Sequence, residues 1–538
     1  MKTVLIAILW LSAPAQAQTT LQQIAESGRL DDLRWPSFSD YRRHVTAFYQ
    51  AGGYQLAWIR DGKATSQARA ILGVLRKADE KGLHSEDYDG PRWEARLTRL
   101  EGADDAGKAR FDVALTVCTM RYISDLHIGR VNPRHFTFGL EVEQKKYNLP
   151  EFLRQQVIGA DDPARVLEQI EPSFAGYQRT KAVLLRYFAM AAKDGGEPLP
   201  LPAKTIAPGA PYLGIARLVR LLQLLGDLPQ DSPAGEEGVY GGALVEAVKR
   251  YQARHGLQAD GRLGAQTVKS LNTPLSARIR QLQLTLERWR WLPDSFPEPP
   301  VVVNIPEFRL RAFDGSGKPG LEMKVIVGKA YGHNTPVFAD SMQYVVLRPY
   351  WNVPPSIQRS EIVPAVRKDR EYIAKKGFEV TTQGGALVTA GTINDDVLEQ
   401  LHTGKLAVRQ KPGTANSLGL VKLIFPNQHN VYLHSTPAAQ LFSQSRRDFS
   451  HGCIRVEKPQ ELTAWALRNN AGWDLERVRE AMEKGTDNQQ VNLTKPIPVL
   501  ILYGTAVVDE SGTVRFFDDI YGLDASLDKV LNQGYPYP

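Results

Sequence analysis

The sequence predicts a multidomain α+β protein: a helical scaffold, a small three-helix module, and a mainly β C-terminal domain with a helical insertion. Three observations point to this. The 538 residues exceed what one hydrophobic core organises, so roughly three domains are expected. Two proline-rich stretches break the chain, one at Pro198-Leu-Pro-Leu-Pro202 with Pro208 and Pro211, the other at Pro293, Pro297, Pro299 and Pro300. Across the second break the texture changes from helical periodicity to short β-branched runs bounded by Gly, Pro and Asp.

Residues 1–17 read as an export signal. Lys2 gives the positive start, Val4 to Leu11 the apolar stretch, and Ala15-Gln16-Ala17 a small-x-small cleavage site. The apolar run is shorter than the ~20 residues that span a bilayer, and no later stretch reaches that length. The expected location is the periplasm, with membrane association not required. Residues 18–205 are mostly helical in pattern, for example Ser66 to Lys81 and Ala109 to Leu126, and hold no catalytic constellation. Leu115, Cys118, Tyr122 and Leu126 recur at helical spacing, which places Cys118 on a core helix as an inert thiol. The competing reading, for two cysteines in an oxidising compartment, is a Cys118–Cys453 disulfide.

Residues 212–273 carry three apolar stripes: Leu218, Leu221, Leu222 and Leu225; then Leu244, Val248 and Tyr251; then Val268 and Leu271. Asp260-Gly261-Arg262-Leu263-Gly264 makes the turn into the last helix. Together with Ala247-Val-Lys-Arg-Tyr-Gln252, Gly256-Leu257 and Thr267, this order resembles the small peptidoglycan-binding domain appended to many wall enzymes. Residues 274–298 are expected as a helical linker packing on the scaffold. Strands follow at Val301 to Ile305, Phe308 to Ala312, Met323 to Val327, Tyr344 to Leu347, Val421 to Phe425 and Val431 to Leu433. The β domain is placed at 299–495, with a polar, helical insertion at 358–406 positioned as a lid, and 496–538 as a C-terminal extension. A net charge of +7 without any basic run excludes a nucleic-acid docking surface and suits an acidic polymer.

The chemistry concentrates in Ser450-His451-Gly452-Cys453-Ile454-Arg455 and, upstream, Tyr432-Leu433-His434-Ser435-Thr436-Pro437. A thiol is a nucleophile as its thiolate, and a nearby histidine lowers its pKa or removes its proton during attack. Both His434 and His451 qualify by position, and spacing leaves the choice open. Gly452 leaves room for backbone N–H groups to face a developing oxyanion. Arg455, with its forked donors, suits a carboxylate or a structural ion pair. His434, His451 and Cys453 could also furnish three metal ligands with an open fourth position, but no Cys-x-x-Cys or His-Glu-x-x-His accompanies them. His44, His127 and His255 read as structural. Pro459 opens a helix just beyond the motif.

The two motifs resemble the signature of the L,D-transpeptidases with a YkuD-type catalytic domain. The outlying segments are similar to the large multidomain Gram-negative members: Val303-Asn-Ile-Pro306, Val325-Ile-Val-Gly-Lys329 with Thr335-Pro-Val-Phe338, Pro349-Tyr-Trp-Asn-Val-Pro354, Arg409-Gln-Lys-Pro-Gly413 with Asn416, Leu418-Gly419 and Phe425-Pro-Asn427. Ser435 stands where many large members have aspartate, and Arg348 where asparagine is common.

The resemblance implies that Cys453 is the nucleophile, His434 the general base, and the Ser435 backbone carbonyl its orienting acceptor. His451 and Gly452, with the Cys453 N–H, would shape the oxyanion site, and Arg455, Tyr432 and Trp351 would contact substrate. It further implies a thioester acyl-enzyme, release of D-alanine from a tetrapeptide stem, 3→3 cross-linking of peptidoglycan stem peptides, acylation by carbapenems, cell-wall synthases as partners, and no metal or cofactor. A cysteine L,D-carboxypeptidase of the same stems and a non-catalytic wall-binding scaffold are the alternatives.

Overall fold

The computed structural model describes residues 15–136, 138–232, 238–329 and 332–534. Most of the expected export signal therefore lies outside the described residues. The chain forms two compact units: residues up to Asp294 together with Thr505 onward, and Ser295–Gly504. Among the described residues no helix is long and apolar enough to cross a membrane.

In the first unit the helix Asp105–Ile128 is the axle of the scaffold. Asp104 caps its start by accepting from the Gly107 N–H at 2.7 Å. Leu115, Cys118, Tyr122 and Leu126 are all buried on it, as their spacing predicts. Asp112 is also fully buried there, but satisfied by the Tyr49 hydroxyl at 2.8 Å and the Ala57 and Trp58 N–H groups at 3.1 and 2.8 Å. The three-helix module comprises Ile215–Leu225, Ala243–Arg254 and Ala265–Leu271, closed around Leu218, Leu222, Leu244, Val248, Tyr251 and Val268. Buried Gln252 holds the turn before its last helix, accepting from the Gly261 N–H at 2.8 Å and donating to the Arg262 carbonyl at 3.0 Å. Gly261 has φ +67°, the left-handed conformation this turn requires. The helix Leu275–Arg290 packs against Ala175–Ala191, and the C-terminal hairpin Ala506–Val508 with Val514–Phe516 joins the same core.

The second unit is built on a nine-stranded sheet. Its order runs Asp448–Ser450, Pro319–Gly328, Ile454–Val456, Leu433–His434, Val421–Ile424, Phe338–Leu347, Gln489–Leu502, Val301–Asn304, Arg309–Phe313. The last strand also pairs with Pro319–Gly328, so the sheet closes on itself. Leu310 and Ala312 point into this core while Arg309 and Arg311 are partly exposed, the period-2 pattern of a one-sided strand.

The boundary expected between 495 and 496 falls inside the long strand Gln489–Leu502. A register shift between Asn492 and Ile497 takes up the irregularity around Pro496, and pairing resumes at Ile497. The strand then continues beside Val301–Asn304 to Leu502.

The insertion is more than a helical cap. Its helices include Val363–Lys368 and Asp395–Thr403, but it also holds a four-stranded sheet of Trp351–Asn352, Leu406–Gln410, Phe378–Thr382 and Leu387–Thr389. Val353, Ile362, Val363, Val366, Val380, Leu401 and Val408 give it a core of its own. Buried Gln358 ties it together, donating to the Leu401 and Leu406 carbonyls at 2.8 and 3.0 Å and accepting from the Val408 N–H at 3.0 Å.

Candidate active site

Two short parallel strands assemble the chemistry. Leu433 pairs with Ile454 and His434 with Arg455, and the Ile454 N–H donates to the Tyr432 carbonyl at 3.0 Å. Because alternate residues share a face, Leu433 and Ile454 are buried in the sheet's core while Tyr432, His434, Cys453 and Arg455 lie together on the other side. His434 is thus the diagonal neighbour of the thiol across the strand pair.

Sulfur sits in a pocket of main-chain and phenol groups. The Asn430 carbonyl lies 3.6 Å from Sγ, positioned by a left-handed Asn430 at φ 53°. The backbone N–H and the phenol of Tyr432 both turn toward the sulfur. Burial pushes the Cys453 thiol up from its ordinary pKa, and these two donors and the Arg455 charge oppose that shift only in part.

His434 is 4% exposed. Burial pushes its pKa down to about 3, the charge of Arg455 acts in the same direction, and the Ser435 and Leu418 carbonyls oppose it. Nδ1 lies 2.6 Å from the Ser435 carbonyl, which can only accept, so Nδ1 carries the proton and Nε2 holds the basic lone pair. Burial thus disfavours the charged form of both groups, the thiolate of Cys453 and the imidazolium of His434.

Arg455 is largely buried, and its Nε finds no hydrogen-bond partner. Burial works against the cation, while neighbouring Cys453 favours it. Donors left open beside a nucleophile are suited to a substrate oxygen.

The loop before the cysteine is held from both sides. Ser450 Oγ donates to the Cys453 carbonyl at 2.6 Å and accepts from the Gly452 N–H at 3.1 Å. Thr335 Oγ1 donates to the Gly452 carbonyl at 2.7 Å and accepts from the Gly328 N–H at 2.9 Å. Gly452 has φ +119°, while a Cβ there would meet nothing nearer than the Asn334 carbonyl at 3.9 Å. The position needs glycine for its backbone angle, not for room. Its own N–H is occupied by Ser450, which leaves the Cys453 N–H as the donor this loop can offer to an oxyanion.

His451 takes a different place from His434. Its Nε2 lies 2.7 Å from Glu361 of the insertion, and its ring stands edge-on to His333 at 4.8 Å between centroids. Trp351 packs on Phe378, 6.1 Å between ring centroids, in the insertion's core. Glu361 and Asn430 escaped sequence reasoning: one glutamate in a polar stretch looks like any solvated charge, and a main-chain carbonyl leaves no mark on residue type. Both cysteines are free thiols. Among the described residues, no group of three or more His, Cys, Asp or Glu side chains is arranged to hold a metal.

Comparison with known proteins agrees with this geometry. Residues 299–501 match the family model described as "L,D-transpeptidase catalytic domain", residues 214–271 that described as "Putative peptidoglycan binding domain", and residues 43–184 a "Scaffold domain". A Haemophilus influenzae protein named "Putative L,D-transpeptidase" is 31% identical over 277 residues, 50% of this chain and 54% of the relative. The match thus spans about half the length of each protein. Residues 299–501, whose closed sheet carries Cys453 and His434 on one face, thus match the L,D-transpeptidase catalytic domain of the YkuD type, in a chain that also matches a peptidoglycan-binding domain.

Proposed function

We propose that this protein is a periplasmic L,D-transpeptidase that forms 3→3 cross-links between peptidoglycan stem peptides. The observation that carries the reading is the shared face of Cys453, His434 and Arg455, with His434 Nδ1 held by the Ser435 carbonyl so that Nε2 is the basic nitrogen.

In the first half-reaction Cys453 attacks the carbonyl carbon of the amide between the L-centre of the third stem residue and the terminal D-alanine. As the S–C bond forms, His434 Nε2 takes the thiol proton, because a neutral pair requires transfer during attack and not before it. The oxyanion meets the Cys453 N–H. The C–N bond then breaks, His434 returns the proton to the leaving amine, and D-alanine departs from the thioester. In the second half the side-chain amine of another stem attacks the thioester, giving its proton through His434 to the departing sulfur.

Arg455 has two roles in this scheme. It binds the D-alanine carboxylate, and in doing so its charge is neutralised, which lifts one of the influences that hold His434 down. The base becomes stronger when donor substrate is present. The three-helix module holds the enzyme on the polymer, and wall synthases supply nascent strands. Carbapenems would acylate the same sulfur.

The deciding experiment incubates purified protein with a disaccharide-tetrapeptide and follows products by mass spectrometry. A cross-linked dimer that disappears in Cys453→Ala is expected. Tripeptide without dimer would assign the chain as an L,D-carboxypeptidase instead. No product together with normal wall binding by Cys453→Ala would make it a binding scaffold.

A further inference from the structure

We propose that Glu361 of the insertion is a positioning residue for the cysteine loop, acting through His451; the inference rests on the transpeptidase reading of the same site. The two side chains meet at 2.7 Å between Glu361 Oε1 and His451 Nε2. A carboxylate only accepts, so His451 donates its Nε2–H, and the tautomer and ring orientation are set from the insertion. On its other side the ring meets His333 edge-on at 4.8 Å. His333 lies just ahead of Thr335, whose hydroxyl holds the Gly452 carbonyl. The imidazole is therefore clamped between the insertion and the segment that grips the loop.

Clamping matters because the next residue along the chain is a glycine. Gly452 sits at φ +119° with open space around it, so its own side contributes no steric restraint. Rotation about this glycine re-aims both the Cys453 N–H and the thiol. The restraints are the hydroxyls of Ser450 and Thr335 on the loop backbone, and the Glu361 bond on His451 itself.

Glu361 is well placed for this. It belongs to the π-helical turn Gln358–Ile362, a widened turn of the kind frequent at functional sites. That turn begins at Gln358, locked into the insertion's core by three hydrogen bonds, and ends at buried Ile362. The carboxylate itself is half exposed, at 52% of its side chain. A polar contact that exposed contributes little to folding, so its removal acts on the loop and not on the stability of the domain.

The test uses the full chain and the release of D-alanine from a tetrapeptide donor. Glu361→Ala is expected to lower kcat about 10- to 100-fold, the range known for carboxylates that orient metal-bound histidines, with KM and melting temperature close to wild type. Glu361→Gln, whose amide oxygen accepts the same N–H, should restore most of that loss. In a His451→Ala background Glu361→Ala should change kcat by less than about twofold, since the interaction is already gone. A wild-type kcat in Glu361→Ala would overturn the inference. Additive losses in the double variant would also overturn it, making Glu361 a direct substrate contact. Imidazole 15N resonances of His451 give a readout free of turnover: the Nε2–H form is expected in wild type, and its persistence in Glu361→Ala would equally sink the idea. A wild type that releases no D-alanine but keeps this tautomer difference would instead fail the transpeptidase reading alone.

Discussion

Alkylation of Cys453 across pH tests the charge state on which the mechanism depends. Burial raises the thiol and depresses His434 to about 3, so neither partner is charged in the free enzyme near neutrality. Below its pKa a thiol gains thiolate tenfold per pH unit, and an unperturbed cysteine lies near ~8.5. A raised thiol therefore gains about 100-fold in iodoacetamide reactivity between pH 6 and pH 8, without levelling off. A preformed thiolate–imidazolium pair would behave oppositely, with a plateau extending down to the acid pKa of the pair. The assay is the pseudo-first-order rate of Cys453 carbamidomethylation, read by peptide mass spectrometry. Cys118, buried on the helix Asp105–Ile128 and pushed far up by burial, serves as the unreactive internal control. His434→Ala should leave these alkylation rates within about threefold while slowing acylation by stem peptide about 10²- to 10⁴-fold. A rate that is flat from pH 6 to 8, or that collapses in His434→Ala, would refute the neutral pair and with it proton transfer during attack.

Other consequences are equally open to measurement. Arg455→Gln should raise KM for a tetrapeptide donor about 10- to 100-fold, the range for a lost hydrogen bond to a charged group, and a donor ending in D-alanine amide should show little further change in that variant. Gly419→Ala places a Cβ 2.6 Å from Ser435 Cβ at a φ of +61°; displacing the carbonyl that orients His434 should cut kcat more than it lowers the melting temperature, and an unchanged kcat would count against that carbonyl's role. Thr335→Val keeps the shape but removes bonds to Gly328 and Gly452; a loss of about 1–3 kcal/mol in unfolding free energy is expected in denaturant titration. Gly452→Ala should fold with strain of about 1–3 kcal/mol, detectable as a lowered melting temperature even though the site has room for a methyl group.

Much of the fold was legible because its signals are local. The stripes of Leu218, Leu222, Leu244, Val248 and Val268 are helical by spacing and buried by composition, and they form the module's core. Asp260-Gly261 marks its turn because only glycine takes φ +67° without penalty. The insertion was harder to read. Its strands Phe378–Thr382 and Leu406–Gln410 pair across a helix that intervenes in sequence, so their extended state is stabilised by partners no local window contains. The expected 495/496 boundary falls inside a strand for a similar reason: the neighbouring strands, which no local window contains, carry the chain through Pro496 and Pro498 in the sheet.

The sequence by itself determined the chemical inventory: a lone reactive-looking cysteine with two histidines and an arginine, on a β-rich domain beyond a three-helix module. Residue identity is sufficient for that, since a thiol, an imidazole and a guanidinium carry their chemistry wherever they sit. The placement of these groups relative to one another was decided by the tertiary structure. His434 shares a face with Cys453 because Leu433–His434 and Ile454–Val456 pair in one register and not another. His451, though nearer in sequence, bonds Glu361 of the insertion, and the N–H of Gly452 bonds Ser450. Direction of a side chain or an N–H is set by long-range pairing and by φ, and neither is written in the spacing of residues along the chain.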